Sequence, residues 1–235
     1  MLKQITQKPE RISEEISIVM VGDFNPKIFQ PSWFALQRLI RESEADAAPV
    51  EIVHSDFTSF STDWFSLQVT RERLNLVIKS AAYKSHLSDL ANGTFQHLLH
   101  TPITQMGINV NSVLRFKSLP DWDAFGHFLA PKSAWNGILK SPGMRSIAIQ
   151  GERDDKSLPG FKIITTEPII YTASDATLRI NNHYERPADN KDQNASFFIS
   201  VIENEFDKVI DESFSMIDAL VTKFNQQTDF DNGKD

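Results

Sequence analysis

Residues 64–78 read WFSLQVTRERLNLVI, and this stretch decides the fold class. Phe65, Leu67 and Val69 alternate with polar residues, which is the pattern of a strand with one buried and one accessible face. An Arg-Glu-Arg turn follows, and a second apolar strand comes after it over 74–78. The stretch therefore predicts an antiparallel hairpin that packs one face on a core and leaves the other face accessible.

The elements around this hairpin predict two halves of the same order: strand, helix, three strands, helix. Pro31-Ser-Trp33 and Pro120-Asp-Trp122 open the first helix of each half, so an internal duplication and a chance match both stay open. The elements expected in the first half are a strand over 16–21, a helix over 31–41, strands over 50–54, 64–70 and 74–78, and a helix over 85–100. Those expected in the second half are a strand over 108–116, a helix over 120–129, strands over 146–150, 161–166 and 177–181, and a helix over 196–224.

These elements predict an α+β protein with antiparallel sheets backed by helices on one side. We expect a first half over 13–104 and a second half over 105–225. The segments 1–12 and 226–235 are polar and aperiodic, so we expect flexible ends there.

The expected final helix, 196–224, carries the longest amphipathic stripe of the chain. Such a helix spans about 44 Å at 1.5 Å per residue, which is longer than most single domains require. Two interpretations remain open at this point. The helix braces the whole sheet, or its end projects and pairs with a partner or a second copy.

Composition limits the class of protein. The chain has 235 residues, a formal net charge of −7 and no cysteine, which excludes disulfides, thiolate metal sites and cysteine nucleophiles. The acidic balance disfavours non-specific attraction to nucleic acid or anionic lipid. The N-terminal residues MLKQITQKPERISEE contain no leader-type apolar run, and no stretch approaches membrane-spanning length. We therefore expect a cytoplasmic protein without a membrane segment.

Motifs that carry chemistry are weak. Gly22-Asp-Phe-Asn25 looks like a signature of the endonuclease/exonuclease/phosphatase family, but its metal-binding glutamate and its late Ser-Asp-His segment have no counterparts here. We interpret these residues as the exit of a strand into a turn. No glycine-rich phosphate loop, nucleophile elbow or His-Glu-x-x-His motif occurs, so we expect neither a cofactor nor a metal.

Ionisable residues form only isolated pairs. His97 and His100 share helical spacing, but two ligands do not make a zinc site. Asp154 and Asp155 lie in a polar loop that we interpret as a solvated turn. His54 shares one face of an extended segment with Asp56 and Thr58, and sequence alone leaves a catalytic triad there open.

A family resemblance concerns the middle of the chain. Residues 64–76, Tyr83 and the segment Met106-Gly-Ile-Asn109 resemble a sporadically distributed family of uncharacterised bacterial proteins. The resemblance implies a bacterial source. It offers no functional residues to carry over.

The absence of catalytic motifs, together with cleanly alternating strands, predicts a non-catalytic interaction or scaffold protein. We expect it to bind a protein partner or a second copy through the accessible sheet face or the final helix. The residues expected to form that binding surface are Trp64, Ser66, Gln68, Thr70, Gln150, Lys162, Thr166, Arg179 and Asn181.

Two alternatives stay open. The first is an enzyme or small-ligand binder with a site between the halves that draws on Asp23, His54, Arg145 or His183. The second is single-stranded nucleic-acid binding on the sheet, for which Trp64 is the expected stacking residue and which the net charge opposes.

Overall fold

One antiparallel sheet of nine strands organises the part of the chain that the computed structural model describes, residues 8–153, 155–188 and 194–231. The strands are β1 (Glu10–Gly22), β2 (Val50–Val53), β3 (Phe57–Ser61), β4 (Phe65–Thr70), β5 (Arg73–Ile78), β6 (Ile103–Arg115), β7 (Ile147–Glu152), β8 (Gly160–Pro168) and β9 (Asp175–Glu185). The helices are α1 (Pro31–Leu36), α2 (Glu42–Ala47), α3 (Lys84–His97), α4 (Leu119–Leu129) and α5 (Ser196–Asp231). The protein is α+β, as its sequence predicts.

The strand order is β2-β3-β4-β5-β1-β6-β9-β8-β7. The long strands β1 and β6 pair at the centre, and on either side of them the sheet repeats the same succession: β5, β4, β3 on one side and β9, β8, β7 on the other. Within the described part of the chain, β2 has no counterpart beyond β7. The first half therefore has four strands between its helices where the sequence predicts three.

The helices cover one face of the sheet and, among the described residues, leave the other face open. On β1, Ile16, Ile18 and Met20 are buried, whereas Val19 and Val21 on the opposite face are half-buried. Helix α3 packs on β5, and α5 packs on β6 and β9. The prediction of a sheet backed by helices on one side is confirmed.

Aromatic clusters tie the shorter helices to this layer. The ring of Phe34 in α1 lies 5.7 Å, centroid to centroid, from that of Phe60 in β3. The ring of Phe125 in α4 lies 5.0 Å from Phe116 and 5.2 Å from Phe224 in α5. Aromatic pairs at such separations add stabilisation beyond the area they bury.

Helix α5 is a brace along the sheet. Its apolar stripe is buried from Phe198 through Ile210 to Phe224, so the packed part extends over most of its 36 residues. This supports the first of the two interpretations of the helix. In the described part of the chain, no helix combines the length and apolarity that a membrane crossing requires.

Several expected boundaries are wrong. Strand β1 begins at Glu10 and α5 continues to Asp231, so residues 10–12 and 226–231 belong to regular elements, and the flexibility expected at the two ends stays a prediction. The rest of those two segments lies outside the described residues, apart from residues 8 and 9, which precede β1. Each extension adds backbone hydrogen bonds to an element that packing already holds.

The first helix is also shorter than expected. It ends at Leu36 and is followed by Arg38 at φ 61°, a left-handed conformation that interrupts the helical backbone. The acidic run after it forms the separate helix α2. Periodicity alone did not reveal this break because no glycine or proline marks it.

A half-buried ion pair fixes the start of β9 against the end of β6. The Arg115 Nε and Nη2 groups donate to the two carboxylate oxygens of Asp175 at 2.9 and 2.8 Å. The Asp175 side chain is 4% exposed, whereas the Arg115 side chain is 55% exposed. The hydrogen bonds from Arg115 hold the pKa of Asp175 below its usual range.

We expect Asp175→Asn to lower the free energy of unfolding by about 1 to 2 kcal/mol at pH 7, since Arg115 keeps access to water after the change. A carboxyl whose pKa is lower in the folded state stabilises fully above its unfolded value near pH 4 and loses that contribution as the pH falls further. Urea unfolding between pH 2.5 and 7 measures both effects. Equal acid sensitivity of wild type and variant would contradict this role of Asp175.

Candidate functional site on the open face of the sheet

The uncovered face of the sheet is the candidate site, and its centre is uncharged. One row of directly opposed residues crosses seven strands: Ser66, Val77, Ser17, Asn109, Asn181, Ile163 and Gln150. The neighbouring row contains Gln68, Asn75, Val19, Gly107, His183 and Phe161. Amides, hydroxyls and small apolar groups therefore dominate the middle of this face.

Glycine at position 107 makes room for the two amides at the centre. A Cβ at Gly107 would lie 2.9 Å from the Asn181 Oδ1 atom, so the Asn181 side chain lies over the glycine backbone. Asn109 Nδ2 donates to the Ser17 hydroxyl at 3.2 Å and to the Gly107 carbonyl at 3.4 Å. The centre of the face is thus a tightly packed polar cluster.

Three carboxamide oxygens on this face lack partners. The Oδ1 atoms of Asn75, Asn111 and Asn181 are shielded from solvent and accept no hydrogen bond from the described residues. An unpaired buried acceptor costs about 1 to 3 kcal/mol, so each of these three oxygens would gain from a hydrogen-bond donor. The terminal torsion of asparagine has broad minima, so these amides can turn to meet donors that a partner brings.

A shallow depression of about 200 Å³ lies beside this cluster. It is lined by Val19, Val21, Arg73, Gln105, Met106, Gly107, Asn109, Asn181 and His183. The imidazole of His183 stacks on the ring of Phe161 at 4.5 Å between centroids, and His183 Nε2 lies 3.6 Å from a Glu185 carboxylate oxygen. The His183 ring, stacked on Phe161, thus borders an amide-rich hollow.

Most of the expected binding residues lie on this face. Ser66, Gln68 and Thr70 alternate along the open side of β4, and Gln150 occupies the same face of β7. Arg179 and Asn181 occupy the open side of β9. Thr70 also shapes the following turn, because its hydroxyl accepts from the Glu72 and Arg73 amides.

The placement of Lys162 and Thr166 on the accessible face is wrong. Both residues are buried on the face that the helices cover, and Lys162 Nζ lies 3.0 Å from a Glu212 carboxylate oxygen of α5. Ile163 and Ile164 are adjacent, so alternation does not decide which face of β8 is inward. A lysine can bury its alkyl stem on the covered side while its ammonium group reaches a carboxylate.

The placement of Trp64 on that face is also wrong. The Trp64 indole Nε1 donates to Glu44 Oε1 of α2 at 3.0 Å. Its ring lies 5.9 Å from Tyr83 and 5.8 Å from His86, which flank the start of α3. Trp64 therefore packs on the helical side, because it precedes β4 and lies outside the strand's alternation.

The residues of the alternative site between the halves do not converge. His54 lies between β2 and β3 at one edge of the sheet, and Arg145 lies two residues before the start of β7 at the other edge. Eight interstrand steps of about 4.8 Å put these edges roughly 30 to 40 Å apart. Asp23 follows the end of β1, and His183 lies on the open face of β9.

The His54 cluster does not have the geometry of a catalytic triad. The Ser55 hydroxyl and the Asp56 carboxylate both approach the same nitrogen, His54 Nδ1, at 3.3 and 3.5 Å. A triad needs the base and its orienting carboxylate on opposite ring nitrogens. Thr58 is buried and donates to the Pro26 carbonyl, and Asp56 is paired with Arg71.

The other weak motifs also have structural roles. Asn25 accepts a hydrogen bond from the Lys27 amide and caps a 3-10 turn, which agrees with the interpretation of Gly22–Asn25 as a strand exit. His97 packs edge-on against Trp33, and His100 lies beyond α3. Asp155 bonds Ser157 within its loop, and Asp154 lies outside the described residues.

Among the described residues, no group of three His, Asp or Glu side chains is arranged to hold a metal ion. Comparison with protein-family models gives no match, and comparison with curated proteins gives none either. The functional argument therefore depends on the chemistry of the open face itself.

Proposed function

We propose that this protein is a non-catalytic interaction module that binds a partner protein through the open face of its sheet. The observation that carries the proposal is the uncovered, amide-rich centre of that face, where the Asn75, Asn111 and Asn181 oxygens lack partners. The other interaction surface expected from the sequence, α5, is less favoured because its apolar stripe is already buried against the sheet.

The chemistry of the face favours a protein over a polyanion. Amide groups complement the donors and acceptors of another protein's backbone and side chains. The charged side chains on this face include Arg73, Arg115 and Arg179, but Glu15, Glu167 and Glu185 offset them. Phosphate binding needs an excess of cations, and the chain as a whole carries a net charge of −7.

One observation favours single-stranded nucleic acid as a second candidate. The stacked Phe161 and His183 rings lie on the open face, and aromatic surfaces of this kind accept bases. The salt dependence of binding separates the two candidates. Nucleic-acid binding should fall steeply between 50 and 200 mM salt, whereas the affinity for a partner protein should not depend on salt. The carboxylates beside the rings, Glu185 among them, count against the second.

Asn181→Lys tests the proposed function. We expect it to weaken partner capture at least about tenfold, because an unpaired ammonium buried at an interface costs more than the roughly 1.4 kcal/mol that a factor of ten represents. Affinity capture from the native cells, followed by light scattering of the eluted complex, measures the effect. Gln68→Lys places the same charge at a more exposed position of the same face, so it tests the proposal even if Asn181→Lys fails to fold.

Ser200→Lys is the matched control, since Ser200 is exposed on α5 away from the sheet. It should leave capture unchanged. Equal capture by the open-face and control variants, or a wild-type protein that retains no partner, would overturn the proposed function.

We further infer that the two halves arose by internal duplication. The symmetric strand succession about β1 and β6 supports this, as does the position of Trp33 and Trp122 in the first helices of each half. Superposition of residues 13–104 on 105–225 is the test. Matching strand registers with the two tryptophans superposed would support a duplication, and mismatched registers would contradict it.

A further inference from the structure

Among the residues that the structure describes, strand β7 pairs only with β8, so its outer edge has no neighbour there. In the symmetric strand order β7 occupies the position of β3, and β3 is covered by β2. The second half has no strand between α4 and β7, where the first half has β2 between α2 and β3. A strand that pairs with β7 would therefore complete the arrangement that the other side already has.

The sequence of β7 protects this edge only at its last residue, Glu152. Residues 147–152 read IAIQGE, without the lysine or proline that commonly blunts edge strands. All of these residues except Ile147 are exposed. Ile149 pairs with Ile164 and lies on the face that the helices cover at the centre of the sheet, yet its side chain is 61% exposed. The helix layer stops short of this strand.

Exposed apolar side chains are concentrated around the same edge. Twelve large hydrophobic residues are exposed in the described part of the chain, and six of them lie on β7, on the loop that leads into it or on the neighbouring β8–β9 turn. They are Trp135, Ile138, Leu139, Ile149, Ile170 and Tyr171. A concentration of this kind marks an association surface.

We propose that β7 pairs antiparallel with β7 of a second copy, so that two sheets join across a two-fold axis. In the register centred on Ile149, the two Ile149 side chains meet at the axis, and Ile147 is opposite Gly151. Ser146 is opposite Glu152, and Arg145 lies next to that pair. Arg145 is then opposite Arg153, whose guanidinium is buried against Tyr184 of its own subunit, so the charged group left within reach of Arg145 is Glu152 of the copy, one residue along the strand.

The apolar loop before β7 enlarges this contact. Seven paired residues per strand bury little area by themselves, and a stable interface needs on the order of 1,000 Å² or more. Trp135, Ile138 and Leu139 supply exposed apolar area next to the edge. The dimer joins the open faces of the two subunits into one continuous surface. The pairing of the β7 strands is independent of whether that surface binds a partner protein.

Ile149→Cys tests the pairing directly, because the chain contains no other cysteine. Opposed residues of antiparallel strands have Cα atoms about 4.5 to 5.5 Å apart, within the range that a disulfide spans. We expect mild oxidation to link most of the Ile149→Cys protein into a covalent dimer. Ile52→Cys, an exposed isoleucine on the edge strand β2, is the matched control and should stay largely monomeric.

Sedimentation or light scattering with lysine variants supplies an independent measurement. Like charges directly opposite each other repel, so Ile149→Lys should weaken self-association at least about tenfold, whereas Ile52→Lys should not. Any one of three results would overturn the proposal: the wild-type protein stays monomeric at high concentration, the two cysteine variants cross-link equally, or the protein assembles into species larger than a dimer. None of these results would alter partner capture by the open face, so the two proposals fail separately.

Discussion

Replacing Phe224 by alanine should lower the free energy of unfolding by about 3 to 5 kcal/mol. Phe224 is fully buried in α5, and its ring lies 5.2 to 6.3 Å from those of Phe125, Phe128 and Phe116. Removing it leaves a cavity where α4, α5 and the end of β6 meet. Domains are stable by only about 5 to 15 kcal/mol, so the variant should lose a large share of its stability.

Urea unfolding at pH 7 measures this effect, with Lys223→Ala as the control from the same helical turn. Lys223 is exposed, so its replacement should change the free energy of unfolding by less than about 0.5 kcal/mol. A loss below about 1 kcal/mol for Phe224→Ala would mean that the last turns of the helix do not brace the sheet.

The second large effect is expected at Leu178 on β9. Leu178→Ala should cost about 2 to 5 kcal/mol, because Leu178 is fully buried under the helices. Arg179 is the next residue along the strand and faces the open side, beside Asn111 and Thr165. Arg179→Ala should therefore change stability by less than about 0.5 kcal/mol.

This neighbouring pair measures the difference between the two faces within one strand. Thermal unfolding of both variants and wild type under the same conditions gives the comparison. If the two substitutions cost equal amounts, the face that carries Arg179 is packed in the folded protein, and the open-face account fails.

The fold class could be predicted from sequence because one periodicity dominated the deciding stretch. Over 65–70 every second residue is apolar, and the structure buries Phe65, Leu67 and Val69 on one side. The apolar stripe of 196–224 likewise predicted the long brace. In both cases the pattern is long enough that one residue that departs from it does not change the predicted buried face.

Strand β3 and the break after α1 could not be predicted in this way. In β3 the residues Thr58, Ser59 and Phe60 are all buried, so no alternation is visible. Thr58 is buried because its hydroxyl reaches the Pro26 carbonyl, a contact that is remote in sequence. Arg38 adopts its left-handed conformation without any sequence marker.

The candidate site was predicted in part. Alternation placed Ser66, Gln68 and Thr70 on the accessible face, but it failed at Lys162, where adjacent isoleucines leave the face undetermined. Of the amide cluster around Gly107, only Asn181 was predicted, because its members come from β5, β6 and β9 and meet only through the pairing of those strands. The resemblance to a bacterial family stays a prediction.

The most direct test of the open-face account is thiol labelling of Gln68→Cys in purified protein and in the native cells. The chain has no cysteine of its own, so the introduced thiol reports one position on the face. The account predicts fast labelling of the purified protein and labelling several-fold slower in cells, while Ser200→Cys on α5 reacts equally in both. Equal rates for Gln68→Cys in the two settings would show that nothing binds the face, which contradicts the account.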